Sequence, residues 1–179
     1  AIRLNPALFA RINELYAKKD DLGLDAESAW LLERYHRDFI QAGAHLSEAD
    51  RETLKGYNER LSVLETTYGQ RVLADANDLA VIVDSVAELD GLSDSQIATA
   101  AAAAEARGLT GKWVIPMVNF TGHPLLGALK NRGLRERIMH NSLIKASRGN
   151  DNDVQDLIKE FVELRAKRAK LFGFASHAE

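Results

Sequence analysis

Between Ser47 and Asn77 the apolar residues Leu54, Tyr57, Leu61, Leu64, Tyr68 and Val72 recur every three or four positions. That spacing puts them on one stripe of an α-helix. The helix has a start signal: Ser47-Glu48-Ala49-Asp50 has capping-box spacing, with Asp in place of the usual Glu. Gly56 and Gly69 each weaken it by about 1 kcal/mol relative to alanine. A helix of that length spans a domain from end to end. Two long helices joined by a short turn pack antiparallel, so the chain is expected to be mainly α-helical.

The flanking segments repeat the pattern. Asn5-Pro6 pairs an N-cap residue with proline at the first helical position. Leu8, Ile12, Leu15 and Tyr16 then predict a helix to about Lys18. After the link at 22–24, Asp25 is placed to cap a second helix with Leu32, Tyr35, Phe39 and Ala42 inward and Gly43 at its end. Ser93 and Gln96 form another capping box, opening an alanine-rich helix that stops at Gly108 and whose small side chains admit a neighbouring helix. Pro124–Asn131 and Leu134–Ser147 read as two helices hinged at Gly133. Val154, Leu157, Ile158, Phe161 and Leu164 define a final amphipathic helix to about Phe172.

The period changes in two places. Leu79–Val83 is short, β-branched and bounded by Asp78 and Asp84, which predicts a strand. Trp113–Phe120 is a second, followed by the turn Thr121-Gly122-His123-Pro124. The two are expected to pair as the only sheet, a small two-stranded β element that needs helices packed on it. Ser85–Leu89 reads as one turn of helix before Gly91. No internal repeat or linker interrupts residues 1–179, which are expected to form a single helical domain.

The net charge of −3 offers no general field for nucleic acid or anionic lipid. With no cysteine, disulfide and thiolate chemistry are excluded, and a cytoplasmic location fits. The small-apolar run Ala98–Ala104 is far short of the roughly 20 residues of a membrane span. The chain opens without methionine and stops in the semi-apolar stretch Leu171–Glu179. Those two ends give the expectation of a piece of a longer chain, with Leu171, Phe172 and Phe174 left uncovered.

The side chains able to do chemistry are scattered. His36, His45, His123, His140 and His177 form no HExxH, and no G-x-S-x-G, P-loop or G-x-G-x-x-G is present. His36 and His140 are expected at helix surfaces or boundaries, and His123 as a turn residue rather than a ligand. Asn150-Asp151-Asn152-Asp153 starts like a calcium loop but lacks the glycine and glutamate that complete one, so helix capping is the better reading. Lys130, Arg132, Arg135 and Arg137 form a basic group beside Glu136, to be read as structural ion pairing or as an anion site, the former favoured. No aromatic residue is interleaved with them, as a nucleic-acid surface would require.

Four segments, in order, resemble the thimet-oligopeptidase family of zinc metallopeptidases. They are AGAHLSEADRETLKGYNERLSVLETTYGQRVLADAND at 42–78, ELDGLSDSQIATAAAAAEARG at 88–108, LKNRGLRERIMHNSLIKASRGNDND at 129–153 and VELRAKRAKLFGFASHAE at 162–179. KWVIPMVNF at 112–120 looks most like the peptidyl-dipeptidase branch. The resemblance implies a mostly helical enzyme with a deep channel, removing C-terminal dipeptides from short peptides. It also implies one zinc held by HExxH and a downstream glutamate, with the HExxH glutamate activating the zinc-bound water. Those residues are expected beyond Glu179, so no catalytic, cofactor-binding or metal residue is carried over onto this chain. The chain is then expected to be part of an N-terminal channel wall, inactive alone, whose partner is the catalytic C-terminal half of the same protein. Two other classes stay open: a stand-alone helical interaction module, and an unrelated small enzyme.

Overall fold

The computed structural model describes residues 2–118 and 123–178. They are mainly α-helical, with six α-helices and a two-stranded antiparallel sheet. In chain order the elements are α1 (Pro6–Ala17), α2 (Ala26–Gln41), α3 (Glu48–Asp78), β1 (Val81–Val83), α4 (Asp94–Glu105), β2 (Trp113–Ile115), α5 (Arg132–Ile144) and α6 (Gln155–Leu171). Residues 1–63 with 160–179 form one compact unit and 64–159 another, α3 and α6 each contributing to both.

The expected caps are in place. The Asn5 side chain accepts from the N–H groups of Ala7 and Leu8, and Asp25 from that of Ser28. At α3 the Ser47 hydroxyl accepts from the Asp50 N–H at 3.1 Å, while the Asp50 carboxylate takes the Ser47 hydroxyl proton at 2.7 Å. The shorter Asp thus substitutes a side-chain bond for the backbone bond of a full box. Ser93 and Gln96 make both bonds of theirs.

In the first unit α1 packs on α2. Phe9 stacks on Phe39, and Tyr16 on His36 with ring centroids 3.8 Å apart. Phe39, Ala44, Leu54, Leu61 and Ala169 are buried. The chain turns out of α2 at Gly43 with φ 90°, and a Cβ there would lie 2.6 Å from Leu54 Cδ2. Both the conformation and the close approach demand glycine. Two expected inward residues face solvent instead, Tyr35 in α2 and Tyr68 on the α3 stripe. A tyrosine at the edge of an apolar stripe keeps its hydroxyl in water at little cost. Phe172 is half-buried, lying 5.7 Å from the ring of His45, whereas Phe174 is exposed.

The second unit holds the larger core: Ala76, Leu79, Val81, Val83, Leu89, Ile115, Met117, Leu129, Leu134 and Ile138. β1 and β2 pair as Val81↔Ile115, Ile82↔Val114 and Val83↔Trp113, so the expected partnership holds with shorter strands. β1 loses its first two residues because α3 continues to Asp78 and the Leu79 N–H still bonds the Asp75 carbonyl. β2 stops before Pro116, which has no N–H for a ladder. The rest of the expected strand and its turn, residues 119–122, lie outside the described residues.

Two expectations change here. The alanine-rich α4, with Ala100 and Ala104 buried and expected to admit a neighbouring helix, packs closely on β2. Its small side chains let a helix come close to a short strand. The segment expected as a helix over Pro124–Asn131 is a 3-10 turn, His123–Gly127, and α5 begins at Arg132 with Asn131 as N-cap, accepting from the Leu134 N–H at 3.0 Å. The break thus falls at the capping asparagine, and Gly133 sits inside the first turn of α5. α5 donates to the β1 segment from Arg137 to the Ile82 carbonyl at 2.8 Å and from Asn141 to the Leu79 carbonyl at 2.7 Å. Those bonds satisfy backbone acceptors of a sheet too small to satisfy itself.

Candidate functional site

The histidines stay apart. His36 is partly buried between α1 and α2, its Nε2 3.0 Å from Asn13 Oδ1, and burial pushes its imidazole below the ordinary value. His123 Nε2 lies 2.6 Å from Ser142 Oγ, tying the 3-10 turn to α5. A serine–histidine pair is half of a nucleophilic device, but no acid orients this ring among the described residues. It reads as a pin. His140 is exposed on α5. Among the described residues no three His, Asp or Glu side chains lie close enough to hold a metal ion.

In the loop 149–153 it is Asp153 that meets the start of α6. The Asp153 carboxylate accepts from the Gln155 N–H at 2.9 Å and the Gly149 N–H at 2.8 Å, and those backbone bonds hold it below the usual carboxylate range. Asn150 Oδ1 accepts from the Asn152 N–H.

Asp75 is a feature that motif reading passed over. It is 0% exposed. One oxygen accepts from the Ala146 N–H at 2.6 Å; the other takes the Arg148 Nε at 2.9 Å and the Arg148 Nη2. Burial works to raise this carboxyl, but the Arg148 hydrogen bond, the Ala146 N–H, the Arg148 charge and the Asn150 side chain together bring it below its ordinary value. Ala146 is held at φ 58°, in the left-handed region. Asp75 thus fastens the end of α3 to the turn that follows α5. A signal existed: Asp75 continues the three/four stripe after Tyr68 and Val72, where a charge needs a buried partner.

The basic group divides in two. Lys130 pairs with Asp90 at 3.1 Å, and Arg137 reaches the Ile82 carbonyl with Glu88 at 3.8 Å. The side chains of Arg132 and Arg135 have no ion pair or hydrogen bond among the described residues. The Arg135 Nε is buried without a partner. A buried donor left unmet costs about 1–3 kcal/mol, more when charged. Both line a recess of ≈ 460 Å³ with Leu126, Glu136 and Met139. Structural pairing therefore accounts for half of the group.

No family model matches the chain. It is 38% identical to dipeptidyl carboxypeptidase of Escherichia coli over 177 residues, which is 99% of this chain and 26% of that protein. The figures are the same for dipeptidyl carboxypeptidase of Salmonella typhimurium. Oligopeptidase A of Haemophilus influenzae is 29% identical over 153 residues, 83% of this chain and 22% of that protein. The chain thus spans about a quarter of the length of the curated relatives it matches. Relatives of two kinds, dipeptidyl carboxypeptidases and oligopeptidases A, converge on the resemblance carried by the segments 42–78, 88–108, 129–153 and 162–179, and the chain belongs to the thimet-oligopeptidase family.

Proposed function

We propose that this chain is the non-catalytic N-terminal portion of a zinc metallopeptidase that removes C-terminal dipeptides from short peptides. One observation carries the reading: 99% of the chain aligns with dipeptidyl carboxypeptidase at 38% identity, yet accounts for only 26% of that protein. The helical segment then serves as one wall of a peptide channel, and its partner is the catalytic part of the same polypeptide. Zinc belongs to that other part, where it would supply a Lewis acid and an activated water. The absence of HExxH from residues 1–179 supports that division.

The test has two arms. The gene should continue beyond the codon for Glu179 into HExxH and a later glutamate, and the longer polypeptide should release dipeptides from the C-terminus of short peptides in a chelator-sensitive way. The 179-residue chain alone should retain no stoichiometric zinc after dialysis and cleave no blocked peptide. A longer polypeptide without HExxH and without peptidase activity would leave a helical interaction module as the surviving reading. Zinc-dependent cleavage by the short chain would overturn the division of labour.

A further inference from the structure

We infer that one side of the α1–α2 hairpin is a docking groove for an amphipathic helix supplied by the part of the polypeptide outside residues 1–179. The inference rests on the reading of this chain as a portion of a longer protein, and it names a surface where the two portions meet. α1 and α2 run antiparallel, since Phe9 stacks on Phe39 and Tyr16, two turns later, on the earlier His36. Those four residues mark the facing positions. At about 100° per residue, Leu8 and Leu15 lie about a quarter turn back from the facing positions of α1. Leu31 and Tyr35 lie about a quarter turn back from those of α2. In antiparallel helices, side chains displaced in the same rotational sense project to the same side of the pair. Leu8, Leu15, Leu31 and Tyr35 therefore line one side of the hairpin, with half-buried Ile12 deeper between them.

This side lacks a neighbour. The four side chains are between 36% and 49% exposed, no residue of α1 is fully buried, and in α2 only Phe39 is. Single exposed apolar side chains are ordinary, but a set of them gathered on one side of two helices marks an interface. Its shape selects the occupant. Leu8 and Leu15 are two turns apart along α1, and Leu31 and Tyr35 one turn apart along α2. Two apolar ridges thus flank a groove of the kind a third helix fills with residues at three- and four-residue spacing. The source follows from length. The chain aligns over 99% of itself with dipeptidyl carboxypeptidase and accounts for 26% of that protein, so on this reading most of the polypeptide lies outside it. A partner tethered in the same polypeptide acts at an effective concentration on the order of millimolar, which a second copy does not reach in dilute solution.

Residues 1–179 contain no cysteine, so single introduced cysteines read the surface cleanly. Leu15→Cys and Leu31→Cys should react with a maleimide about tenfold or more slowly in the longer polypeptide than in the 179-residue chain, followed by peptide mass. Trp30→Cys should react at similar rates in both. Trp30 is 53% exposed and lies about 100° round α2 from Leu31, with the Arg34 guanidinium over its ring. A p-benzoylphenylalanine placed at Leu8 or at Tyr35 should cross-link, in the longer polypeptide, to one segment at positions three, four or seven residues apart. Equal maleimide rates in the two polypeptides overturn the inference. So does equal slowing of Trp30→Cys, or cross-links without helical spacing. Protection already present in the short chain and rising with its concentration assigns the groove to a second copy, and overturns the inference as well. Dipeptide release by the same longer polypeptide keeps the two readings apart. An active enzyme with an open groove sinks this inference alone, and a covered groove in an inactive polypeptide sinks the proposed function alone.

Discussion

Asp75→Asn should destabilise the unit of residues 64–159 by about 3 kcal/mol. The substitution is isosteric, so no cavity forms and the effect is electrostatic. In the native protein one Asp75 oxygen serves the Ala146 N–H and the other serves Arg148, so both sides of the carboxylate face donors. An amide has one acceptor oxygen. Whichever way it is turned, its NH₂ group meets either the Ala146 N–H or the guanidinium, and a buried donor loses its acceptor. Removing one partner of a buried ion pair costs about 3–5 kcal/mol. The lower end applies because the Arg148 side chain is 25% exposed and keeps a second carboxylate, Asp78, at 3.3 Å. With a urea dependence of about 2 kcal/mol per molar, the unfolding midpoint should fall by about 1.5 M. Trp113, in β2 of the same unit, reports the transition once the exposed Trp30 is replaced by phenylalanine.

A pH series adds a sign. The carboxyl is depressed in the folded state, so its stabilisation is complete above the unfolded value, about 3.9, and is lost as pH falls through the lower folded value. The gap between wild type and Asp75→Asn should therefore close on acidification below about pH 4. A midpoint shift under about 0.5 M at unchanged slope, or a gap indifferent to acid, refutes the reasoning.

Ser93→Ala removes the hydroxyl that accepts from the Gln96 N–H and should cost about 1 kcal/mol, seen as a lowered urea midpoint. Gly91→Ala should cost more, above about 2 kcal/mol, because the residue sits at φ 99° and its new Cβ would run into the Ala128 carbonyl oxygen; the same measurement decides. His36 is depressed by burial, so folding favours the neutral ring, and the contribution is full above about pH 6.5 and lost below it. Hydrogen-exchange protection of α1 and α2 should fall between about pH 7.5 and pH 5.5. His36→Phe should flatten that dependence, and an unchanged slope in the variant counts against the assignment.

The long elements were legible because their signals are local and repeated. The stripe from Leu54 to Val72 fixed α3 at Glu48–Asp78, and the capping residues Asn5, Asp25, Ser47 and Ser93 fixed four helix starts. What failed depended on partners far along the chain. Alanines in α4 signal close approach, but only the folded unit shows that the neighbour is β2. The segment after Pro124 carries helix-forming residues, yet the Lys130 N–H bonds the Asp90 carbonyl and draws that stretch out of helical geometry. Asp75 needed two facts at once, a place on a buried stripe and an arginine 73 residues away to meet it.

The basic group shows where the remaining information lay. Counting charges between Lys130 and Arg137 treats four cations as equivalent, and they are not, because α5 turns by about 100° per residue. Leu134, Ile138 and Asn141 face the sheet and core, and Arg137, next to that face, is drawn to the Ile82 carbonyl. Arg132, Glu136 and Met139 follow one another at four- and three-residue spacing on a different face, with exposed Leu143 continuing it. Arg135 lies at the margin between the two faces, where its Nε is buried and its side chain makes no ion pair among the described residues. Periodicity thus sorts the cluster into cations that the fold consumes and cations that it leaves over. The second pair, Arg132 and Arg135, is the one whose side chains make no ion pair or hydrogen bond among the described residues.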